Sequence, residues 1–355
     1  MMKGLFVVSK NTLGVLELEE PRLGDYDALV QVEACGICNS TDWKIIEGRF
    51  KRGSFPILLG HESAGRVIKT GKKVRCFAEG DRVLRSRLYD KDVSIPGGSS
   101  RFGGFVQKAV VTDEWAQKDL PYNSFPHPQQ KVPLSIAPEQ AAALIALKES
   151  LNYVKKTDIR PGQSLAIVGT GPAGQSMTMW AKFLGVSPVV VFGRRHRWAA
   201  LFESLSADAY VSGDDVPAEV SEILESGGFD RSIEAVGSNE ALERCLQLTN
   251  GQGRIHLYGI PADDEAYRQE YESDPRVFRS PVLEAEVHEE LLQYIEEGRI
   301  DLSRWLSHVL PWDEYQRAFD IVKTEKPTKV VIRIPGDGEG SGRDPVHGPE
   351  PDCSA

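Results

Sequence analysis

Apolar positions up to about residue 145 come in short runs cut by Gly and Pro. Leu29-Val30-Gln31-Val32, Gly65-Arg66-Val67-Ile68 and Phe105–Val111 read as strands of a closed or sandwiched β-rich unit. Near Pro138-Glu139-Gln140 the spacing changes to that of a helix, Ala-rich and continuing through Leu151 and Tyr153. From Leu165 strands and helices alternate. Strands are expected at Leu165–Val168, Val189–Phe192, Ala209–Val211, Arg231–Glu234 and Arg254–Tyr258, with helices to about Phe183, around Trp198–Leu205 and Pro217–Glu225, and through Ala241–Leu248. Repeated β-α units of this length predict a parallel sheet covered on both faces. A helix over about Glu284–Glu297 and a last strand, Lys329–Ile334, complete the ordered pattern.

The expected organisation is therefore α/β and β: a β-rich unit over residues 1–145, completed by about 295–335, with a doubly wound nucleotide-binding unit over 146–294 inserted between them. Residues 336–355 hold five Gly and three Pro with almost nothing apolar, and read as a disordered acidic tail.

Composition narrows the function classes. The chain has 355 residues, 52 acids against 42 Lys and Arg, and a net charge of −10. That balance argues against nucleic acid as a partner, because phosphate-backbone binding runs on clustered cations. The longest purely apolar run, Ala141–Leu147, is far short of the ~20 residues that cross a membrane. Met1–Val8 is too short an apolar stretch for a signal peptide. Five cysteines do not make a disulfide framework, so the expected compartment is the reducing cytoplasm. Cys76, in strand-like sequence, and Cys245, on an amphipathic helix, read as small core residues; Cys353 falls in the tail.

Gly169-Thr170-Gly171-Pro172-Ala173-Gly174 follows a predicted strand and opens a predicted helix, the context a dinucleotide-binding turn requires. The first Gly permits the turn, the second lets backbone approach a pyrophosphate, and the third lets helix and strand pack closely. An NAD site carries an acid at the end of the second strand, for the ribose 2′-hydroxyl. Here that strand ends in Gly193-Arg194-Arg195-His196-Arg197. Gly193 leaves room for a 2′-phosphate and Arg194 or Arg195 pairs with it, so NADP(H) is expected in preference to NAD(H).

A second set of motifs lies upstream: Cys35-Gly36-Ile37-Cys38-Asn39-Ser40-Thr41-Asp42, Gly60-His61-Glu62 continuing to Gly71 and Val74, Gly80-Asp81-Arg82-Val83, Gly103-Gly104-Phe105 and the Ala-rich helix. With Glu234-Ala235-Val236-Gly237 and Gly253-Arg254-Ile255, the chain resembles the zinc-dependent medium-chain dehydrogenase/reductase family over about residues 1–335. The resemblance implies a GroES-like catalytic domain beside a Rossmann domain, and one catalytic zinc on Cys38, His61 and Glu62. Thiolate, imidazole and carboxylate suit Zn²⁺, which acts as a Lewis acid on an alcohol or carbonyl oxygen. It also implies a homodimer or homotetramer, in which the strand Arg254–Tyr258 and its sequel extend a sheet across the pair.

Three departures from the family pattern matter. Cys38 is followed by one extra residue, so the proton-relay hydroxyl is Ser40 or Thr41, and position 44, where many relatives carry a relay histidine, is Lys44. The family's fourth ligand aligns near Ile145 or Ala146, neither of which binds metal; Glu149, about one turn further along the same helical face, is the substitute candidate. Leu84–Arg101 contains no cysteine, so no structural zinc lobe is expected. The implied activity is hydride transfer between NADP(H) and a small-molecule alcohol, polyol or sugar. The alternatives are a metal-free NADPH-dependent enone or quinone reductase of the same fold, and a non-catalytic NADPH-binding protein.

Overall fold

The computed structural model describes residues 1–336 except 51, 52, 90, 101, 214, 215, 264 and 326. The expected tail, apart from Gly336, and Cys353 with it lie outside the described residues.

The strand–helix alternation forms one six-stranded sheet. Its spatial order is Ala209–Ser212, Val189–Gly193, Leu165–Val168, Phe229–Glu234, Thr249–Leu257 and Val277–Phe278, which is 3-2-1-4-5-6 in chain order, and every pairing is parallel. Successive side chains of a strand point to opposite faces. Leu165 and Ile167 accordingly pack with Met177, Trp180 and Phe202 on one face. Ala166 and Val168 pack with Val220, Leu242, Cys245 and Leu248 on the other. This two-sided burial explains why these strands read as unbroken apolar runs. Val277–Phe278 was not anticipated; it pairs parallel to Thr249–Leu257 and ends the sheet on that side among the described residues.

The N-terminal unit holds two sheets. One has the order Thr12–Leu18, Met2–Ser9, Ile57–Leu58, Ser99–Ser100; the other runs His308–Leu310, Val330–Arg333, Asp27–Gly36, Glu62–Thr70, Arg82–Leu84, Lys131–Val132, with Lys108–Thr112 also paired to Asp27–Gly36. The strand expected over Phe105–Val111 forms as Lys108–Thr112, leaving Phe105–Gln107 outside it apart from an isolated bridge between Val106 and Gly4. Cys76 sits in a bend rather than a strand. The chain's last strand, Val330–Arg333, returns to pair antiparallel with Asp27–Gly36. His308–Leu310 and the helix Tyr315–Glu325, neither of them predicted, lie on the way back.

The helix Pro138–Lys156 joins the two units. Apolar side chains go inward over nearly its whole circumference, Ala141 to Ile145, Leu147, Leu151, Tyr153 and Val154 all being buried. Such a helix has packing partners on more than one side. Here they include Ala34, Ala64 and Val331 of one sheet and Leu165, Ile167 and Ile233 of the other, in one continuous core.

Candidate active site

A cleft of about 1000 Å³ is lined from both units, by Cys38, Ser40, Thr41, His61, Glu62 and Glu149 on one side and by Gly169–Ala173, Gly193 and Arg194 on the other. Backbone packing sets the first group. Gly60 has φ +91°, and a Cβ there would lie 2.5 Å from the Phe105 amide nitrogen and 3.0 Å from the Gly104 carbonyl carbon. Only glycine lets these backbones meet, and the close approach fixes the chain just before His61. Glu62 opens its strand and pairs in register with Gly36. A Cβ at Gly36 would lie 2.5 Å from Glu62 Oε2, so this glycine leaves the space the carboxylate occupies.

Cys38, His61 and Glu62 form, among the described residues, the one cluster of metal-binding type, with candidate ligand atoms all within 4.8 Å of one another. Their surroundings suit a cation held on a thiolate, an imidazole and a carboxylate. The Thr41 amide donates to Cys38 Sγ at 3.5 Å, and the Cys38 amide to Asp42 Oδ2 at 2.9 Å. Asp42 Oδ1 lies 3.6 Å from His61 Nδ1, and both atoms are buried without a hydrogen-bond partner. A carboxylate behind a ligating imidazole fixes ring orientation and raises ligand basicity. Burial opposes charge on His61, but the Cys38 and Asp42 groups outweigh it and hold the imidazole well above its ordinary pKa. Lys329, 7% exposed, donates to Glu62 Oε2 at 2.6 Å. Burial works against this ammonium too, and Glu62 and Cys38 more than compensate.

Glu149 is placed differently from the expectation. It lines the cleft but stands outside the three-residue cluster, and its carboxylate accepts from Arg85. The same guanidinium donates to both oxygens of Glu284, at 2.7 and 2.6 Å, and to the His61 carbonyl at 3.0 Å. Burial raises the pKa of Glu149 against the pull of Arg85, while Arg85 and Lys148 overcome burial at Glu284 and hold it low. Glu149 is held in an ion pair with Arg85.

Ser40 and Thr41 line the cleft beside Cys38, Ser40 exposed and Thr41 half-buried. Lys44, half-buried in the same wall, donates to the Ile260 carbonyl, and burial lowers its pKa. Trp305, packed in the core that joins the two units, also lines the cleft.

On the nucleotide side, Gly169 has φ +134° and a Cβ on Gly174 would lie 2.1 Å from the Gly169 carbonyl oxygen, whereas one on Gly171 would meet nothing within 4 Å. Turn, close packing and open approach thus fall on the first, third and second glycines in turn. Pro172 and Ala173 begin the helix Pro172–Phe183, its N-terminus at the cleft. Gly193 is also set by packing: a Cβ there would strike the Tyr210 hydroxyl at 2.2 Å and Thr170 Cγ2 at 2.5 Å. Arg194 lines the cleft. Arg195 does not, but its carbonyl accepts from the Tyr210 hydroxyl at 2.7 Å.

Sequence reasoning missed Lys329, Arg85, Glu284 and Arg244. Arg85 lies two residues beyond the Gly80–Val83 motif and Lys329 immediately precedes the last strand, but nothing in spacing pairs them with acids 64 and 267 positions away.

The profile of the alcohol dehydrogenase GroES-like domain matches residues 24–122, and that of the zinc-binding dehydrogenase domain matches 172–294. Among curated proteins, the L-threonine 3-dehydrogenase of Bacillus velezensis is 25% identical over 341 residues, covering 92% of this chain and 97% of that one. The L-threonine 3-dehydrogenase of Yersinia pestis is 26% identical over 340 residues, covering 89% and 94%. Among solved structures, a Sinorhizobium meliloti protein described as a zinc-binding dehydrogenase bound to NADP superposes with a TM-score of 0.73 at 26% identity, over 94% of this chain and 99% of its own. The 2R,3R-butanediol dehydrogenase of Bacillus subtilis shares the fold, with a TM-score of 0.74 at 21% identity over 94% and 100%.

Proposed function

The chain belongs to the zinc-dependent medium-chain dehydrogenase/reductase family, and from that premise we propose that it is an oxidoreductase interconverting a small alcohol, polyol or sugar hydroxyl with its carbonyl, using NADP(H) and one zinc ion. The observation that carries the reading is the cleft itself, where Cys38, His61 and Glu62 face the Gly169–Gly174 turn. The reading also draws on relatives named for alcohol substrates, threonine and butanediol among them.

Cys38, His61 and Glu62 would hold the zinc, which when bound supplies Lewis-acid polarisation of the substrate oxygen. Asp42 orients the His61 ring from behind, and Lys329 pairs with the buried Glu62 carboxylate. Ser40 or Thr41 hands the alcohol proton towards solvent, since both line the cleft next to Cys38. Gly171 and the helix beginning at Pro172 take the cofactor pyrophosphate, and Arg194 its 2′-phosphate. The helix N-terminus and backbone amides would hold and orient the dinucleotide, which when bound would supply or accept the hydride.

The test combines metal content with turnover. Protein purified without chelator should carry about one zinc per chain and reduce NADP⁺ with secondary alcohols, polyols or aldoses. Cys38→Ser should lose the metal and more activity than the about 10–100-fold that outer-shell changes cost. Wild-type protein without zinc, whose activity neither added Zn²⁺ nor Cys38→Ser alters, would instead indicate the metal-free reductase.

A further inference from the structure

The NADP(H) reading assigns one cation, Arg194, to the 2′-phosphate. A second guanidinium lines the same cleft. Arg244 lies on the helix Asn239–Leu248, and its Cζ sits over the Phe192 ring, 5.4 Å from the centroid. Phe192 immediately precedes Gly193 and Arg194, so two distant pieces of chain bring Arg244 and Arg194 to one strand end. In a doubly wound sheet, the end of the second strand is where the adenosine ribose is read.

Aromatic neighbours hold the backbone around Arg194 and the side chain of Arg244. The Tyr210 ring stacks on Phe202 with centroids 5.5 Å apart, and its hydroxyl pins the Arg195 carbonyl while crowding the Gly193 α-carbon. The backbone on both sides of Arg194 is thereby held. Arg244 is steered by Phe192 through a cation–π contact. Neither guanidinium has a carboxylate partner within ion-pair distance among the described residues; Arg244 has only Gln247 Oε1, 3.5 Å from Nη1. Glu240, one turn earlier on the Arg244 helix, also lines the cleft but pairs with neither. Two oriented cations left without acids suit a dianionic phosphate better than a ribose hydroxyl, which calls for a carboxylate.

We infer that Arg244 is a specificity-determining residue, the second arm of a two-arginine clamp on the cofactor 2′-phosphate. The inference rests on the NADP(H) reading and adds to it a residue from the helix Asn239–Leu248.

Binding of NADPH, NADH, adenosine 2′,5′-bisphosphate and 5′-AMP to the zinc-loaded full chain tests it. Wild-type protein should prefer the two 2′-phosphorylated ligands. Arg244→Ala should weaken both by about tenfold, the scale of one charge-assisted contact, and leave NADH and 5′-AMP within about twofold. Arg194→Ala should show the same selective loss. Equal losses for phosphorylated and unphosphorylated ligands in Arg244→Ala would overturn the inference, placing Arg244 against the adenine or the cleft wall. So would an unchanged preference in Arg244→Ala alongside its loss in Arg194→Ala, with the NADP(H) reading intact. A wild-type protein that binds NADPH no better than NADH, and the bisphosphate no better than 5′-AMP, would overturn the NADP(H) reading itself and the clamp with it.

Discussion

The two walls of the cleft treat charge in opposite ways. On the metal-cluster wall nearly every buried charge is already matched: Glu62 by Lys329, Glu149 and Glu284 by Arg85, and the Asp42 carboxylate by the Cys38 amide. On the nucleotide wall the cations at the strand end, Arg194 and Arg244, have no acid partners among the described residues and reach water. A buried charge must be compensated within the fold, because desolvation is costly whether or not a ligand arrives. A half-exposed arginine is compensated by solvent and stays available to an incoming anion. One wall is therefore built as part of the folded core, and the other is left for its ligand to complete.

The largest effect should come from breaking a pair on the compensated wall. Lys329→Met leaves the Glu62 carboxylate, 2% exposed, without its cation. Removing one partner of a buried pair costs about 3–5 kcal/mol, so metal-free Lys329→Met should lose stability on that scale in urea denaturation. Zinc should then raise the melting temperature of the variant more than that of wild type, since the ion replaces the missing positive charge. Equal zinc-induced shifts would separate Glu62 from the metal and dissolve the contrast between the walls.

The contrast also explains how much was legible in the sequence. The nucleotide wall depends on contiguous chain: Gly169–Gly174 is one turn between one strand and one helix, and its three glycines act as their spacing foretold. The Leu165–Val168 strand and the Phe183 helix end were readable for the same reason, being local. The compensated wall depends on register between distant strands. Glu62 meets Lys329 only because Val330–Arg333 pairs with Asp27–Gly36, which in turn pairs with Glu62–Thr70. Glu149 was read as a candidate fourth metal ligand because its helix position is visible in sequence and the Arg85 that holds it is not. The edge strand Val277–Phe278 escaped because two residues carry no period. At Gly193 the sequence showed a special residue but not its packing role, since the crowding Tyr210 lies on the next strand.

Ionic strength should separate the two walls with a smaller effect. Half-exposed cations are screened once the Debye length shrinks from about 10 Å at 0.1 M to about 3 Å at 1 M salt, whereas buried pairs are screened far less. Raising NaCl across roughly that range should weaken NADPH binding by about tenfold, or about 1.4 kcal/mol. Zinc content and melting temperature should change little by comparison. A melting temperature that falls in step with NADPH affinity would mean that the pairs of the metal-cluster wall are also open to solvent.

The smallest effect concerns acid, and lies beneath the nucleotide wall. His256, 3% exposed in the strand Thr249–Leu257, has neither ring nitrogen hydrogen-bonded and stacks on Phe278. Burial, with Arg231 and Arg254 nearby, pushes its pKa down to about 4. The folded value therefore lies below the unfolded value of about 6.5, and the unfolded chain takes up the proton first. The neutral ring's contribution to stability is complete above the unfolded value, and falls away as pH drops from about 6.5 towards 4. Between pH 7 and 5.5 this amounts to about 1 kcal/mol. His256→Phe removes the titration while keeping an aromatic ring against Phe278, so its stability relative to wild type should improve by that amount over the same pH interval. If the difference between the two proteins stays constant from pH 7 to 5.5, His256 accepts its proton within the fold, and this half of the molecule compensates buried charge as the other half does.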